Sequence, residues 1–359
     1  ERMSLDVRTT VLGHIQRGGK PTARDRIVST LTAVEGVEAL STMREHLIIG
    51  FAQGGVVRLP LTPTIQTTQS VGHALRQQLW LQVRSLRGPQ FEAIWNVWDQ
   101  LFGDSCIRQG LGRGEDVRQL AGEHTNTPTS LTASTVEAFP STGRVLMVLC
   151  VGPPSPGMNM TLRMLVRTAA AQGFVRVLGV EGGIPGLLSD RIVPLYWSSV
   201  MDWSVRGGCK LGTRRLDSDV PIPVEGMIAK FRQYRIASLI LLGGYDCLAV
   251  GRALHEALPN HGLSLSTCII PATISCNIPG TDATIGADTA LNEIVQAVDK
   301  VRMSAQSSMR RVFVVQVMGG SCGWLTMYGS LCCGSDIMYL PEEGIDIDRL
   351  KGDVDLLRR

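Results

Sequence analysis

Thr273, Ser275, Cys276 and Asn277 stand together in one short loop of the sequence. The loop lies in PATISCNIPG, residues 271–280, directly after the apolar run TCII, which predicts a buried strand. In α/β proteins, ligands bind just outside the carboxyl ends of such strands. The loop offers hydroxyl, thiol and amide groups but contains no carboxylate. It has the position of a phosphate-transfer site without a general base or a hard metal ligand.

Two further segments place cations beside glycine pairs. RGGCKLGTRR, residues 206–215, carries four cations, and arginine guanidinium groups match phosphate oxygens bidentately. A solvated basic loop would have the same composition. RTTVLGHIQRGG, residues 8–19, spaces Arg8, His14 and Arg17 around the end of a predicted strand. These side chains could converge on an anion, although a single histidine is more often structural.

The common nucleotide-binding fingerprints are absent from the sequence. The segment that follows the strand RVLMVLCV is GPPSPG, which has prolines where a dinucleotide-binding loop needs backbone N–H groups. The sequence contains neither G-x-G-x-x-G after that strand nor G-x-x-x-x-G-K-[ST]. We therefore do not expect a redox Rossmann enzyme or a P-loop enzyme.

The composition limits the class of protein. The chain has 359 residues, 44% of them hydrophobic and 19% charged, so it can bury a large core. A net charge of +3 without a Lys/Arg block argues against a nucleic-acid partner. No apolar run approaches the ~20 residues that cross a bilayer, so no membrane partner is expected. Nine cysteines without a CxxC pair indicate reduced thiols, no zinc and a cytoplasmic location.

The order of predicted elements indicates an α/β fold. From Arg144 onward, apolar strands alternate with amphipathic helices, which predicts doubly wound sheets with helices on both faces. Residues 103–142 are rich in Gly, Thr and Ser and predict a linker. The expected units are therefore residues 1–102 and 143–359. We expect the first unit to lack partner strands and to expose apolar faces.

Taken together, these segments resemble the ATP-dependent 6-phosphofructokinases, in the long eukaryotic form built from two duplicated halves. The motifs that carry the resemblance are RTTVLGHIQRGGKP, VGPPSPGMN, RGGCKLGTRR, LLGGYDC, PATISCNIPGTD and RRVFVVQVMGGSCG. The resemblance implies transfer of phosphate from ATP, with Mg²⁺, to fructose 6-phosphate in glycolysis. It also implies a phosphofructokinase-like fold and a homo- or hetero-oligomer of the tetramer type.

The sequence departs from this family at each charged catalytic position. Tyr245, Ser275 and Asn277 stand where the family has aspartates, and Gly320 stands where it has an arginine. We therefore expect no catalytic residue and no metal ligand in this chain. The same losses are typical of the family's regulatory half, in which the old active site resembles a pocket for fructose 2,6-bisphosphate.

The resemblance assigns site residues motif by motif. In residues 1–102, which resemble the C-terminal part of the catalytic half, the implied fructose 6-phosphate ligands are Arg8, His14, Ile15, Gln16 and Arg17. In residues 143–359, which resemble the N-terminal part of the regulatory half, the implied effector ligands are Arg215, Thr273, Ile274, Ser275, Cys276, Asn277, Arg311, Met318, Gly319 and Gly320. Arg8 and Arg311 are implied to reach a neighbouring subunit. The family usually has Asn at the position of Cys276.

Two functions remain open from the sequence. In the first, the chain is part of a working phosphofructokinase whose ATP loop, metal loop and base precede Glu1. On that hypothesis, this chain carries part of a substrate site and part of an effector site and is inactive alone. In the second, the chain is a non-catalytic paralogue that binds sugar phosphates or acts as a scaffold.

Overall fold

The computed structural model describes residues 6–42, 46–102, 144–217, 219–307 and 311–357. The predicted linker, 103–142, lies outside the described residues. The strands are β1 (Asp6–Val11), β2 (Leu47–Ala52), β3 (Gly55–Pro60), β4 (Val145–Val151), β5 (Arg176–Val180), β6 (Ile192–Pro194), β7 (Ser238–Gly243), β8 (Ser266–Pro271) and β9 (Arg311–Gln316).

The α-helices of the described residues connect these strands. They are α1 (Ile15–Gly18), α2 (Ala23–Thr42), α3 (Leu61–Arg76), α4 (Trp80–Arg87), α5 (Pro89–Phe102), α6 (Met158–Ala171), α7 (Gly183–Leu188), α8 (Val224–Gln233), α9 (Tyr245–Ala257), α10 (Ala287–Ser307), α11 (Trp324–Cys333) and α12 (Ile347–Leu357). None of these helices has the length and apolar character that crossing a membrane requires.

A seven-stranded sheet forms the centre of the fold, in the order β3-β2-β8-β7-β4-β5-β6. The pairs between β2 and β5 are parallel, whereas β3 and β6 pair antiparallel at the edges. Every residue of β4, β7 and β8 is buried, which explains their continuous apolar sequences. The prediction of an α/β fold is confirmed.

Helices cover both faces of this sheet. Because side chains alternate along a strand, Leu146, Val148 and Cys150 of β4 face one way, and Met147 and Leu149 face the other. The first three belong to a core that includes buried residues of α2 and α6. The other two belong to a second core that includes buried residues of α8 and α9. This arrangement confirms the doubly wound layout.

The expectation that the first segment lacks partner strands is wrong. β2 pairs in parallel with β8, with Leu47 opposite Cys268 and Ile48 opposite Ile269. β1 pairs in parallel with β9 along its whole length, in a separate two-stranded sheet. Ile48 and Ile49 are fully buried as a result. Residues on both sides of the predicted linker thus share one sheet, because an open strand edge pairs with any strand that can satisfy its backbone groups. The assignment of 1–102 and 143–359 to two halves of a longer enzyme stays a prediction.

A buried carboxylate joins the two segments. Asp25, near the start of α2, accepts hydrogen bonds from the backbone N–H groups of Gly286 and Thr289, at 2.9 and 2.8 Å, and from the Thr289 hydroxyl. These donors lie at the start of α10, where a negative charge is favoured by the helix dipole. Thr22 adds a hydrogen bond to Asp288 at 2.6 Å. The start of α2 is therefore fixed against the start of α10.

The sequence predicts one helix over residues 62–86 and a strand at DIMYL, residues 336–340, and both predictions are wrong. The helix expected over residues 62–86 is broken, because Gln78 takes a left-handed conformation (φ 58°) between α3 and α4. The segment DIMYL, residues 336–340, is not a strand. Its Met338 and Leu340 pack with Phe91 in a separate apolar cluster, so burial occurs there without strand pairing.

His46 gives the fold a predicted pH dependence. Its ring packs edge-on against that of His255, with 4.7 Å between centroids, and burial followed by the charge of His255 lowers its pKa to about 4. Between about pH 6.5 and 4 the unfolded chain therefore binds the proton more tightly than the folded chain. We expect the free energy of unfolding to decrease as the pH falls through this window. Urea denaturation at several pH values measures it.

The His46→Gln variant supplies the comparison for this pH dependence. The decrease in the free energy of unfolding should become smaller in His46→Gln, because the glutamine side chain does not titrate. It should persist in the matched variant His73→Gln, since His73 is exposed on α3. Equal pH profiles for wild type and His46→Gln would contradict the assignment.

Candidate functional site

A cavity of about 390 Å³ opens at the carboxyl ends of the parallel strands. β4, β7 and β8 each end at its wall, and so does the turn after β9. The side chains and backbone that line it include both chain segments: Arg17, Thr68, Val71, Gly72, Leu75, Arg87, Pro153, Pro154, Arg215, Gly244, Tyr245, Asp246, Thr273, Ile274, Ser275, Asn277, Gly319, Gly320 and Ser321. The position agrees with the general rule for ligands in open α/β sheets.

The structure brings residues of the two predicted sites into this one cavity. Arg17 was assigned to a fructose 6-phosphate site and Arg215 to a separate effector site, but both line the same wall. The other predicted residues that line the cavity are Thr273, Ile274, Ser275, Asn277, Gly319 and Gly320. Pairing of β1 with β9 and docking of α2 on α10 carry the Arg17 loop to this position.

Other predicted residues lie outside the cavity lining. Arg8 and Arg311 are exposed near the amino ends of β1 and β9, whereas the cavity adjoins the carboxyl ends. His14 and Ile15 are exposed at the start of α1 and do not line the cavity. Cys276 is buried and also lies outside the lining.

A hydrogen bond between Gln16 and Met318 connects two parts of the cavity wall. The side chain of Gln16 is fully buried. Its amide donates to the Gly13 carbonyl at 2.9 Å, and its oxygen accepts the Met318 N–H at 3.2 Å. The glutamine therefore fixes the loop before Arg17 to the turn that contains Gly319.

Two polar atoms at the cavity have no partner. The Nε atom of Arg17 and the Oδ1 atom of Asn277 are buried, and neither forms a hydrogen bond with the described residues. An unpaired buried donor or acceptor costs about 1–3 kcal/mol. Arg17 would be satisfied by an acceptor such as a phosphate oxygen, and Asn277 by a donor such as a hydroxyl group. Together they match a ligand that carries both groups.

The electrostatic environment of Arg17 favours an anion. Burial lowers the pKa of its guanidinium, and the positive charge of Arg215 lowers it further. Two like charges held in a partly desolvated site repel each other. An anion bound between them would remove that repulsion.

The loop that carries Arg215 is anchored at several points. Buried Asn159 donates to the carbonyl of Gly207 at 2.9 Å and accepts the N–H of Lys210 at 2.7 Å. The N–H of Gly152, just after β4, donates to the Arg214 carbonyl at 2.8 Å. These bonds explain how a sequence typical of a solvated basic loop becomes part of an ordered wall.

The glycine pairs of this loop and of the Arg17 loop meet. A Cβ atom on Gly207 would overlap the carbonyl oxygens of Gly18 and Gly19, whereas a Cβ on Gly18 would meet no atom within 4 Å. Gly207 is therefore required by close backbone approach. This contact sets the separation between Arg17 and Arg215.

The cavity does not have the composition of a magnesium site. Mg²⁺ is bound in proteins mainly through carboxylates and substrate phosphates. Among the described lining residues, Asp246 is the one carboxylate, and it accepts the backbone N–H of Leu216 at 3.2 Å. The described residues also contain no group of three or more His, Cys, Asp or Glu side chains that could hold a metal. The residues that line the cavity therefore do not fit a bound Mg²⁺ ion.

The backbone geometry explains part of the difference at Cys276. The residue has φ 47°, in the left-handed region that favours Gly and Asn over other residues. Its thiol donates to the carbonyl of Asp282 at 3.4 Å, and burial raises its pKa to about 12. Asn, which the family usually has here, suits this conformation better. Cys276 shapes the loop from inside and does not face the cavity.

The sequence reasoning missed several lining residues. Arg87 lies on a helix of the first segment, outside every motif, and no local signal marks it. Thr68 belongs to TTQSV, residues 67–71, which also resembles the family, but nothing in that segment marks it as a site residue. Asp246 follows Tyr245 in the GGYDC segment, and its place directly after a glycine pair at a strand end is a local signal for a position at the cavity. Its role as a loop anchor depends on a contact with Leu216, which the sequence does not reveal.

Comparisons with known proteins identify the family of the chain. The sequence profile named Phosphofructokinase matches residues 1–40 and 145–359. The chain belongs to the phosphofructokinase family. It is 35% identical over 361 residues to the muscle-type ATP-dependent 6-phosphofructokinase of Canis lupus familiaris and 33% identical over 360 residues to the liver-type enzyme of Mus musculus.

The alignments with these phosphofructokinases cover 99% of this chain but 42% of each relative. Two solved structures are also similar over 99% of the chain. The T-state phosphofructokinase of Pichia pastoris has a TM-score of 0.57 at 29% identity, over 35% of its own length. The phosphofructokinase of Saccharomyces cerevisiae has a TM-score of 0.56 at 26% identity, over 44% of its length.

The close approach of Gly207 yields a testable prediction for the stability of the chain. Gly207→Ala should lower the free energy of unfolding by about 1–3 kcal/mol, because the methyl group forces the two loops apart. Gly18→Ala is the matched control and should change it by much less, since its methyl group meets open space. Denaturant titration measures both. Equal losses in the two variants would contradict the close packing of these loops.

Proposed function

We propose that the cavity binds a sugar bisphosphate of the fructose 2,6-bisphosphate type and does not transfer phosphate. The observation that carries this proposal is the unpaired Nε of Arg17 and the unpaired Oδ1 of Asn277 in one cavity. A phosphate oxygen would accept from the first, and a sugar hydroxyl would donate to the second.

The charge of the lining supports a ligand with more than one phosphate. Three guanidinium groups, those of Arg17, Arg87 and Arg215, face one carboxylate, that of Asp246. Arginine binds phosphate oxygens through paired N–H groups. The backbone adds further donors, because Gly244 and Tyr245 lie at the start of α9 and Gly319 and Gly320 form a turn.

The same residues argue against phosphoryl transfer in this cavity. A kinase needs carboxylates for Mg²⁺ and a base for the acceptor hydroxyl. Tyr245, Ser275 and Asn277 occupy the corresponding loops, and their side chains are uncharged at neutral pH. Replacing anions by neutral donors also removes repulsion toward a bisphosphate.

We further propose that this chain is the binding part of a longer protein with the activity named for its relatives. Those relatives are ATP-dependent 6-phosphofructokinases, of which the chain spans 42%. In that protein, other segments would supply the aspartates for ATP and Mg²⁺ and for transfer to fructose 6-phosphate, in the cytoplasm. Adjacent coding sequence without Gly-Gly-Asp-Gly and Thr-Ile-Asp-Asn-Asp loops would contradict this and favour a non-catalytic paralogue or scaffold.

An oligomer of the tetramer type is part of the same proposal. Asp6 pairs with Arg311 across the β1–β9 ladder, so Arg311 and Arg8 lie on one face of this two-stranded sheet. Both are exposed, and the opposite face exposes Val7, Val11 and Val314. Two arginines placed away from their own cavity could contact the anion of a neighbouring copy. A monomer at every concentration in sedimentation velocity would contradict this.

A second candidate function is catalysis in this cavity itself. Asp246 favours this candidate, because its carboxylate lines the cavity. It is the residue directly after Tyr245, and Tyr245 stands where the family has its metal-site aspartate. Its hydrogen bond from Leu216 argues instead for a role in anchoring the loop.

Binding of the bisphosphate tests the first candidate. We expect fructose 2,6-bisphosphate to bind the wild-type chain in calorimetry, and Arg215→Ala to weaken the affinity at least about tenfold, the loss expected for one charge-assisted contact. Arg232→Ala, on α8 outside the cavity, is the control and should bind like wild type. Equal affinities for wild type and Arg215→Ala would count against the proposal.

Turnover distinguishes the two candidates. With ATP, Mg²⁺ and fructose 6-phosphate, we expect the purified chain to release no ADP in a coupled assay, because no carboxylate is placed for the metal or the base. ADP release that disappears in Asp246→Asn would establish the second candidate.

A further inference from the structure

Arg87 is a cation of the cavity that belongs to no recognised motif. It ends α4, in the first chain segment, and lines the cavity beside Ser321 and Gly320. Only 6% of its side chain is exposed. Arginine is almost never buried to this degree without a partner. A group that holds the guanidinium of Arg87 in place is therefore expected beside it.

The partner is Glu342, whose carboxylate is fully buried. It accepts the Nε–H of Arg87 at 3.1 Å and the backbone N–H of Gly323 at 3.0 Å. Burial raises the pKa of Glu342, and the charge of Arg87 acts in the opposite direction. A carboxylate kept in such a position is stabilised mainly by its arginine, since an unpaired buried charge is strongly unfavourable.

The pair orients Arg87 toward the turn after β9. A terminal amino group of Arg87 donates to the carbonyl of Ser321, and Ser321 lines the cavity with Gly319 and Gly320. A guanidinium group has five N–H donors. Within the described residues, these two bonds use two of them, which leaves three donors for a ligand.

The other two arginines act at a different place. Arg17 and Arg215 both line the cavity, and the charge of Arg215 lowers the pKa of Arg17. Arg87 is held instead by Glu342 and by the carbonyl of Ser321. Arg17 and Arg215 therefore interact electrostatically across the cavity, whereas Arg87 is oriented by partners of its own.

We propose that Arg87 binds a second phosphoryl group and thereby makes the cavity selective for bisphosphates over monophosphates, with Glu342 as its positioning residue. This inference rests on the proposed function, because it concerns the ligand of the same cavity. Arg17 and Arg215 contact one phosphoryl group, and Arg87, with the turn at Gly319 and Gly320, contacts the other.

The experiment compares ligands with one and two phosphoryl groups. Fructose 2,6-bisphosphate and fructose 6-phosphate are titrated by calorimetry into wild type, Arg87→Met and Arg349→Met. The matched control is Arg349, which pairs with Glu343 at 3.0 Å but does not line the cavity. Arg87→Met should weaken bisphosphate binding at least about tenfold and change monophosphate binding less than about twofold. Arg349→Met should change neither affinity.

Glu342→Gln provides a readout that a purely structural role would not produce. Glutamine keeps one acceptor oxygen for Arg87 and Gly323 but removes the negative charge beside the arginine. Bisphosphate should therefore bind more tightly to Glu342→Gln than to wild type, although the variant unfolds at lower denaturant concentration. If Arg87→Met does not fold, Arg87→Lys replaces it: lysine keeps the charge beside Glu342 but lacks the planar fork of donors, so the selectivity for bisphosphate should fall below that of wild type.

The outcomes separate this inference from the proposed function. Loss of selectivity in Arg87→Met together with tighter binding in Glu342→Gln supports the inference. Unchanged selectivity in Arg87→Met, or equal weakening of both ligands, overturns it while bisphosphate binding itself stands. Tighter monophosphate binding in Glu342→Gln, to the same extent as bisphosphate, also overturns it. Absence of bisphosphate binding to the wild-type chain would overturn the proposed function and the inference with it.

Discussion

The buried carboxylate of Asp25 is the interaction on which the cavity depends. It satisfies backbone donors at the start of α10, and it lies on the helix that directly follows the Arg17 loop. A buried charge tolerates little displacement, since it loses its hydrogen bonds before it regains water. The loop can therefore approach the second segment closely enough for the backbone of Gly207 to contact the carbonyls of Gly18 and Gly19. Without this anchor, Arg17 and Arg215 would not face one cavity.

A second constraint is electrostatic. The cavity keeps arginines together at the carboxyl ends of the strands, and Tyr245, Ser275 and Asn277 add no negative charge to balance them. The positive charges of these arginines repel one another, and an anionic ligand would reduce that repulsion. The loops also lack the paired acidic groups that phosphoryl transfer requires, so the proposed binding of an anion and the proposed absence of transfer have one physical origin. The buried pair of Arg87 and Glu342 adds a further positive group to the cavity, because the glutamate holds the guanidinium of Arg87 at the cavity wall.

Sequence patterns anticipated the regular parts of this structure well. Continuous apolar runs predicted the buried parallel strands, and the rule that ligands bind beyond the carboxyl ends of such strands predicted where the cavity lies. The errors arose where distant contacts override local preference. DIMYL buries Met338 and Leu340 against Phe91 without forming a strand. The helix predicted over residues 62–86 is broken at Gln78. The first segment, which was expected to lack partner strands, extends the sheet because its strand β2 pairs with the edge of β8.

The sequence by itself determined the chemical groups available to this member of the phosphofructokinase family: neutral side chains in the strand-end loops, arginines beside glycine pairs, and strands apolar enough to be buried. Those features follow from residue type and short-range spacing. Only the tertiary structure decided that Arg17, Arg87 and Arg215 share one cavity, that Cys276 faces inward, and that Glu342 orients an arginine 255 positions away. The physical reason is that strand pairing and burial bring distant residues together, and neither is encoded within the few residues that a local pattern spans.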